Sequence, residues 1–216
     1  MSNVTIRAFT VSLDGYGAGP AQDRQNPLGI GGEELHEWMF PRRTFMAMQK
    51  KSGGTTGVDD DFVATSMANV GAWIMGRNMF TTSRGPWADD HWKGWWGENP
   101  PYHAPVFVLT HHPRTPIEMK GGTIFHFVTD GIHDALDRAR AAAGEKDIRI
   151  LGGASVIRQY LSAGLVDDAH VAFSPGLLGA GESQFARLDL VKLGYSVTET
   201  ANGERALHVT LRKTGD

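Results

Sequence analysis

Short apolar runs alternate with segments of helical periodicity through the second half of the chain. Three runs have the length and composition of buried strands: PVFVLT at 105–110, TIFHFV at 123–128 and DIRIL at 147–151. Helices are predicted after the second and third runs, the first of them ending at Gly144. Helices between successive strands require a largely parallel sheet that is covered on both faces, so this alternation constrains the chain to an α/β fold.

The two ends of the chain add further strands to this core. VTIRAFTVSL at 4–13 is rich in β-branched residues and is predicted to be a strand, as is DDAHVAFSP at 167–175. YSVTET and RALHVTLR are joined across residues 201–204, where Asn-Gly favours a hairpin turn. We therefore expect a mixed, mostly parallel central sheet with flanking helices and a C-terminal antiparallel hairpin.

The region between the first strand and residue 105 is less regular. In the block from Glu33 to Met48, one short helix is expected to begin near Gly32 and to end or kink at Pro41, and a second helix is expected after it. Residues 50–61 are predicted to form a surface loop. A helix is expected from Phe62, followed by the short buried strand AWIMG. No internal repeat or linker is visible, so residues 1–216 are predicted to be one domain.

Residues 83–105 form a long excursion that is too irregular for a helix or a strand. It combines turn formers with a group of tryptophans, Trp87, Trp92, Trp95 and Trp96. These rings could stack on a planar ligand, or they could fix the loop to the body of the protein by aromatic burial. A lid over a binding site would combine both interpretations, since long ordered loops are often functional.

Composition excludes several classes of function. The net charge of −3, without a long Lys/Arg run, argues against a nucleic-acid partner. The sequence has no apolar stretch of about 18 residues and no signal-peptide pattern at its start, so we expect a cytoplasmic protein without a membrane partner. The absence of cysteine excludes disulfides and thiolate chemistry.

Two further sequence patterns argue against metal and hydrolase chemistry. No H-E-x-x-H motif is present, and His111 and His112 are adjacent rather than on one helical face, so no metal site is expected. The serines lack a G-x-S-x-G motif, which argues against a serine hydrolase.

Three predicted strand ends carry groups that suit phosphate. Gly152 and Gly153 lie between a strand and a helix, where residues without a Cβ atom and free backbone N–H groups allow a phosphate to approach. Gly76-Arg77 follows AWIM, and residues 110–114 follow PVFVL. Each feature alone has an ordinary structural explanation, and both the G-x-G-x-x-G fingerprint and the P-loop are absent. Together they predict one phosphate-binding edge of the sheet.

The sequence resembles the dihydrofolate-reductase-like superfamily, in the branch of the reductase domain of bifunctional riboflavin-biosynthesis enzymes. The resemblance is carried by SLDG at 12–15, WIMGRNMF at 73–80, PVFVLTHHPR at 105–114, ILGGASVIRQYL at 150–161, GLVDD at 164–168 and PGLLGAG at 175–181. It implies a reductase fold that binds NADPH, and the branch is usually homodimeric.

The resemblance also implies roles for individual residues. Phosphates would be held by Gly76-Arg77 and by the stretch that follows β-strand DIRIL, and the adenosine 2′-phosphate would be surrounded by Thr110, His111 and Arg114. Val11 and Ala18 would flank the nicotinamide. The implied cofactor-binding residues are Val11, Ala18, Gly76, Arg77, Thr110, His111, Arg114, Leu151, Gly152, Gly153, Ala154, Ser155 and Val156. A cis peptide bond is expected at Gly152-Gly153.

Two carboxylates are candidates for handling the proton that accompanies hydride transfer. Asp14 lies in the loop after the first strand, where it could equally cap its own turn, and Glu34 lies on a helix whose exposed face is an equally ordinary place for it. Residues 167–170 and SQF at 183–185 depart from the pattern of the branch, and no deaminase signature is present. These departures weaken the transfer of the riboflavin-precursor substrate.

The sequence therefore predicts an NADPH-dependent reductase that acts on a small planar heterocycle, pterin-like or similar to a 5-amino-6-ribosylaminouracil phosphate. A catalytically silent module that binds NADP(H) or another ligand is the alternative, because the fold alone does not separate the two.

Overall fold

The computed structural model describes residues 2–89 and 91–214. Its strands are β1 Val4–Ser12, β2 Tyr16–Ala18, β3 Val70–Gly76, β4 Pro105–Leu109, β5 Ile117–Glu118, β6 Ile124–Val128, β7 Asp147–Gly152, β8 Asp168–Ser174, β9 Glu182–Ser183, β10 Tyr195–Asn202 and β11 Leu207–Lys213. Its helices are α1 Arg43–Met48, α2 Val58–Met67, α3 Arg77–Phe80, α4 Gly131–Ala143 and α5 Ala154–Ser162, with 3₁₀ turns at Glu34–His36 and Lys120–Gly122.

One nine-stranded sheet organises these elements, in the order β10-β11-β8-β1-β7-β3-β4-β6-β5. The neighbouring pairs from β8 to β6 are parallel, whereas β10, β11 and β5 pair antiparallel with their neighbours. Strands β2 and β9 form a separate antiparallel pair. The predicted mixed, mostly parallel sheet with a C-terminal hairpin is confirmed.

Alternate residues of the central strands pack on opposite faces of the sheet. On β7, Ile148 and Ile150 are fully buried in the core that contains residues of α4 and α5. Leu151 points to the other face, where it packs with a second cluster that includes Trp73 and Phe125. Each fully buried isoleucine contributes roughly 1.5–3 kcal/mol of hydrophobic free energy, so this alternation fixes the register of the strand.

The predicted surface loop at 50–61 is wrong for its last part, because α2 begins at Val58. The carboxylate of Glu204 accepts hydrogen bonds from the backbone N–H groups of Val58 and Asp59, each at 3.1 Å. These bonds satisfy N–H groups that a helix leaves free at its start. The cap comes from the distant β10–β11 hairpin, so the sequence around Val58 could not predict it. The short elements β2, β5, β9 and α3 were also not predicted.

Strand β1 carries an irregularity that shapes the site. The register of its pairing with β8 shifts between Ile6 and Phe9, and Ala8 has φ 50, in the left-handed region. The backbone N–H of Ala8 donates instead to Nδ1 of His170, at 3.0 Å. A bulge of this kind redirects the side chains that follow it, here towards the cavity described below.

Candidate active site

Parallel pairing places the carboxyl ends of β3, β4 and β7 side by side. Gly76 is paired with Leu109, and Met75 is paired with Gly152. A cavity of about 760 Å³ lies at this edge and extends over one face of the sheet. The strand ends that were expected to converge are therefore neighbours, in the position where open α/β sheets bind ligands.

Most of the predicted cofactor residues line this cavity. Those that do are Ala18, Gly76, Arg77, Thr110, His111, Leu151, Gly152, Gly153, Ala154, Ser155 and Val156. Val11 and Arg114 lie outside the described lining. Val11 is fully buried in β1, opposite Phe173 of β8. Ala8, Phe9 and Thr10 of the same strand line the cavity. The assignment of each residue to a cofactor stays a prediction.

The glycine pair forms the joint between β7 and α5. The Gly152–Gly153 peptide bond is cis, as expected, and Gly152 has φ 133, a conformation that side chains rarely adopt. A Cβ atom on Gly76 would lie 2.8 Å from Cγ2 of Val156, so the end of β3 and the first turn of α5 approach closely. The N-cap residue Gly153 has no side chain, and the N–H of Val156 already donates to the carbonyl oxygen of Gly153 at 3.0 Å, so the N–H groups of Ala154 and Ser155 are the ones that remain for an anion in the cavity.

Two arginines stack on Trp87, a tryptophan of the excursion. Cζ of Arg77 lies 4.0 Å from the ring centroid of Trp87, and Cζ of Arg114 lies 5.0 Å from it. Trp87 is itself fixed, because its Nε1 donates to the carbonyl oxygen of His112 at 2.9 Å. Both arginines are thus held close together by one aromatic ring.

Arg77 carries donors that the protein leaves unused. Its Nε and Nη2 atoms are buried and have no hydrogen-bond partner within the described part of the chain. Partial burial, with the neighbouring charges of Arg84 and Arg114, lowers the pKa of Arg77. A partly buried cation with unpaired donors next to a helix N-terminus fits a phosphate group, which accepts several hydrogen bonds and neutralises the charge.

Asp14 is an exposed loop residue outside the cavity lining. Its carboxylate accepts hydrogen bonds from Oγ of Ser12 at 2.5 Å and from the backbone N–H groups of Leu178 and Gly179, at 3.1 and 2.6 Å. These bonds, that from Ser12 first, hold the pKa of Asp14 below its usual value. The contacts tie the loop after β1 to the loop after β8. The proposed catalytic role stays a prediction, and the observed contacts are those of an anchor.

Glu34 is exposed on the 3₁₀ turn Glu34–His36 and also lies outside the cavity lining. The next residues of that segment face the interior: Leu35 is buried in the core, and His36 and Met39 line the cavity. Nδ1 of His36 lies 3.3 Å from the carbonyl oxygen of Gly32. The segment therefore contributes to the site, but through residues other than the predicted one.

The cavity continues along the sheet into a second region, the inner chamber, lined by Met67, Trp73, Tyr102 and Arg149. Trp73 and Arg149 are paired across β3 and β7. Each lies three residues before the glycine that ends its strand, which is about 10 Å at the rise of a β-strand. Sequence reasoning missed this region. A charged residue in the apolar run DIRIL was the available signal for Arg149.

The tryptophans of the excursion divide between two environments. Trp87, Trp92 and Trp96 pack against the aromatic cluster on the sheet, and Nε1 of Trp92 donates to the carbonyl oxygen of Phe80 at 2.9 Å. Trp95 and Trp96 line the cavity. The excursion is thus fixed to the body by aromatic burial, and two of its tryptophans also line the cavity. Stacking of these rings on a ligand, as a lid would provide, stays a prediction.

Residues 2–89 and 91–214 hold neither a cluster of metal-binding side chains nor a membrane-spanning helix. No group of three or more His, Cys, Asp or Glu side chains is placed to hold a metal ion there. No helix in those ranges is long and apolar enough to cross a membrane.

The parallel sheet with its C-terminal hairpin and its glycine-lined cavity defines a protein of the dihydrofolate-reductase-like class. Within that class, the chain belongs to the RibD C-terminal domain family, which matches residues 4–209. Solved structures that share this fold include proteins described as reductases.

Individual proteins that resemble this chain have low sequence identity to it or match only part of it. "Uncharacterized protein YyaP" of Bacillus subtilis is 31% identical over 94 residues, and the match spans 41% of this chain and only 48% of that protein. A Shewanella sp. PV-4 protein, described as a candidate riboflavin biosynthesis protein, has a similar structure with a TM-score of 0.58 and 24% identity, and each chain is covered completely.

Two enzymes of known activity share the fold at lower identity. Enterococcus faecalis dihydrofolate reductase, complexed with NADP(H) and RAB-propyl, has a TM-score of 0.52 and 14% identity, with 99% of this chain and 97% of that chain covered. The Thermotoga maritima diaminohydroxyphosphoribosylaminopyrimidine deaminase/5-amino-6-(5-phosphoribosylamino)uracil reductase has a TM-score of 0.53 and 14% identity, with 99% and 57% covered.

Proposed function

We propose that the protein is an NADPH-dependent reductase that transfers hydride to a small planar heterocyclic acceptor, pterin-like or similar to a 5-amino-6-ribosylaminouracil phosphate. The single observation that carries the proposal is a continuous cavity with two kinds of wall. Its outer part is bounded by glycines, a helix N-terminus and the unpaired donors of Arg77, and its inner chamber is bounded by aromatic rings. The first part suits a dinucleotide and the second suits a planar acceptor.

The residues of the outer part would bind and orient the cofactor. Gly152 and Gly153 leave room for a diphosphate, and the N–H groups of Ala154 and Ser155 at the start of α5 would donate to it. Arg77 would bind phosphate through its unpaired Nε and Nη2 atoms. Arg114, which also stacks on Trp87, would bind the extra phosphate that distinguishes NADPH from NADH.

When bound, NADPH supplies a hydride, and a proton completes the reduction of a C=N or C=O bond in the acceptor. The excursion would exclude water, because Trp95 and Trp96 cover the cavity next to the inner chamber. His36 is the titratable side chain that the segment after β2 brings to the cavity. Asp14 and Glu34 remain proposed proton-handling residues that would have to act from outside the lining.

The position of the two carboxylates favours a second candidate function. Neither carboxylate predicted to be catalytic lines the cavity in the described structure, which is what a ligand-binding module without turnover would show. Such a module would keep the NADP(H) site and act as a sensor or as a sequestering protein.

Consumption of NADPH distinguishes the two candidates. The purified full chain is incubated with NADPH and a panel of pterins, flavin precursors and simple carbonyl compounds, and loss of reduced nicotinamide absorbance is followed. The reductase proposal expects at least one planar heterocycle to accelerate the loss well above the rate without acceptor. Tight NADPH binding with no acceleration by any acceptor would favour the silent module.

A homodimer and a cytoplasmic location belong to the same proposal. Support for the dimer comes from two exposed apolar side chains, Leu13 and Leu177, at 59% and 73% of full exposure. They are close together, because the N–H of Leu13 donates to the carbonyl oxygen of Gly176 at 3.0 Å. Sedimentation of the wild-type chain and of Leu177→Asp would show whether this surface joins two copies.

A further inference from the structure

The inner chamber contains a buried cation without an opposite charge. Arg149 is only 7% exposed, and its guanidinium lies over the ring of Trp73, with Cζ 5.3 Å from the centroid. Within the described residues it forms no salt bridge. Burial lowers the pKa of Arg149 to about 10, which still leaves it charged at neutral pH. Charges this deeply buried are usually paired.

The hydrogen bonds of Arg149 satisfy part of its donor capacity. Nη1 donates to the carbonyl oxygen of Ser66 at 2.6 Å and contacts Sδ of Met67 at 3.3 Å, and Nη2 donates to the carbonyl oxygen of Arg7 at 2.7 Å. Nε is buried and has no partner in the described ranges. Carbonyl dipoles compensate for a part of the lost hydration, but they leave the net positive charge of the chamber in place.

A phenol packs against the same tryptophan as this cation. Tyr102 is 7% exposed and lines the cavity, and its carbonyl oxygen accepts a hydrogen bond from Nε1 of Trp73 at 3.2 Å. The two rings also pack against each other, with centroids 5.2 Å apart, so the position of the phenol is fixed. Its hydroxyl has no hydrogen-bond partner among residues 2–89 and 91–214. The charge of Arg149 acts on the phenol, although burial dominates and raises the pKa of Tyr102.

We propose that Tyr102 and Arg149 select an acceptor that carries a carboxylate, with the Tyr102 hydroxyl donating to the carboxylate and Arg149 supplying the opposite charge. A carboxylate needs both a hydrogen-bond donor and a cation when it leaves water, and the inner chamber offers one of each without a competing acid. The assignment to an acceptor rests on the proposed reductase function, whereas carboxylate binding itself does not.

Benzoate is a suitable probe, because benzamide has nearly the same shape without the charge. Both are titrated into the full-length protein by calorimetry, with and without NADPH, and NADPH is titrated separately. We expect benzoate to bind at least about tenfold more tightly than benzamide, as one hydrogen bond to a charged group would give. Tyr102→Phe, which removes one oxygen atom, should weaken the affinity for benzoate by about tenfold and leave the affinities for benzamide and NADPH unchanged.

The variants at Arg149 separate charge from structure. Arg149→Gln should abolish the preference for benzoate, and Arg149→Lys, which keeps the charge, should retain most of it. Tyr195→Phe is the matched control, because its hydroxyl is bonded to the carbonyl oxygen of Val166, away from the cavity. If the variants at Arg149 do not fold, the test rests on Tyr102→Phe.

Equal binding of benzoate and benzamide, no binding of benzoate, or unchanged benzoate affinity in Tyr102→Phe would overturn the proposal while NADPH binding continued to support the reductase. Selective benzoate binding without NADPH binding would instead support the carboxylate site and remove the reductase function.

Discussion

His170 and His208 are joined by a buried hydrogen bond of 2.9 Å between Nε2 of His170 and Nδ1 of His208. The tautomers of the two imidazoles follow from the hydrogen bonds that each makes with a second partner. The N–H of Ala8 donates to Nδ1 of His170, so Nε2 of His170 carries the hydrogen and donates to His208. Nε2 of His208 then donates to Oδ1 of Asp59 at 2.7 Å, and Asp59 is paired with Arg42. Both imidazoles are therefore neutral in a fully used network.

This network makes stability depend on pH. Burial first, and then the proximity of His208, Arg7 and Arg149, lower the pKa of His170 from 6.5 to about 3. Between these two values the unfolded chain binds a proton that the folded chain excludes. Stability is complete above about pH 6.5 and is lost as the pH falls towards 3, by up to about 1.4 kcal/mol per pH unit.

Urea unfolding at pH values spanning about 4 to 7 measures this effect. His170→Gln should have a lower free energy of unfolding at neutral pH and a shallower decline towards acid than the wild type. His133→Gln, at an exposed position on α4, serves as the control. Parallel pH profiles for wild type and His170→Gln would show that His170 does not carry the dependence.

Loss of Asp59 should be strongly destabilising. Asp59 is fully buried, and Oδ2 accepts from Nη2 of Arg42 at 2.7 Å and from the N–H of Arg205 at 3.0 Å. Asp59→Asn removes the short, buried ion pair of Arg42 and leaves only the partly exposed carboxylate of Glu204, 3.7 Å away, opposite its charge, which costs about 3–5 kcal/mol of unfolding free energy. Asp61→Asn, an exposed change in the same helix, should cost less than about 0.5 kcal/mol. Similar losses for both would mean that the buried pair has no special role.

The close approach of β3 and α5 can be tested with a pair of variants. Gly76→Ala places a Cβ atom 2.8 Å from Cγ2 of Val156 and should cost about 1–3 kcal/mol of stability. Removing the clash with Val156→Ala in the same chain should recover part of that loss, as a double-mutant cycle would measure. Additive losses would place the strain elsewhere.

Arg114 should set the preference between the two nicotinamide dinucleotides. Arg114→Ala is expected to weaken the affinity for NADPH by about tenfold or more, because one charge-assisted contact to the extra phosphate is lost. The affinity for NADH should change little. Equal weakening of both, measured by equilibrium titration, would contradict the assignment. Arg140→Ala, an exposed arginine on α4, is the matched control.

Sequence patterns predicted the sheet well, because apolar runs such as DIRIL and PVFVL report burial on the strand itself. They failed where the cause is distant. The start of α2 depends on Glu204, and the burial of Asp59 depends on His208, residues far away in the chain. The phosphate-compatible strand ends were found because glycine and arginine have a recognisable chemistry at that position.

The inner chamber could not be assembled from sequence alone. Tyr102 reaches it from an irregular excursion, and only the packing of that excursion against Trp73 brings the phenol and Arg149 to the same ring and the same cavity. Asp14 and Glu34 show the converse. Each was chosen for its chemical type and its place in the chain, and the folded chain directs each one outside the cavity lining.

Equilibrium titration of the wild-type protein and of Arg77→Met with NADPH tests the central claim most directly. The account predicts saturable binding of one NADPH per chain in the wild type and an affinity at least about tenfold weaker in Arg77→Met, because the unpaired donors of Arg77 are lost. Absence of saturable binding in the wild type, or equal affinity of the two proteins, would contradict it.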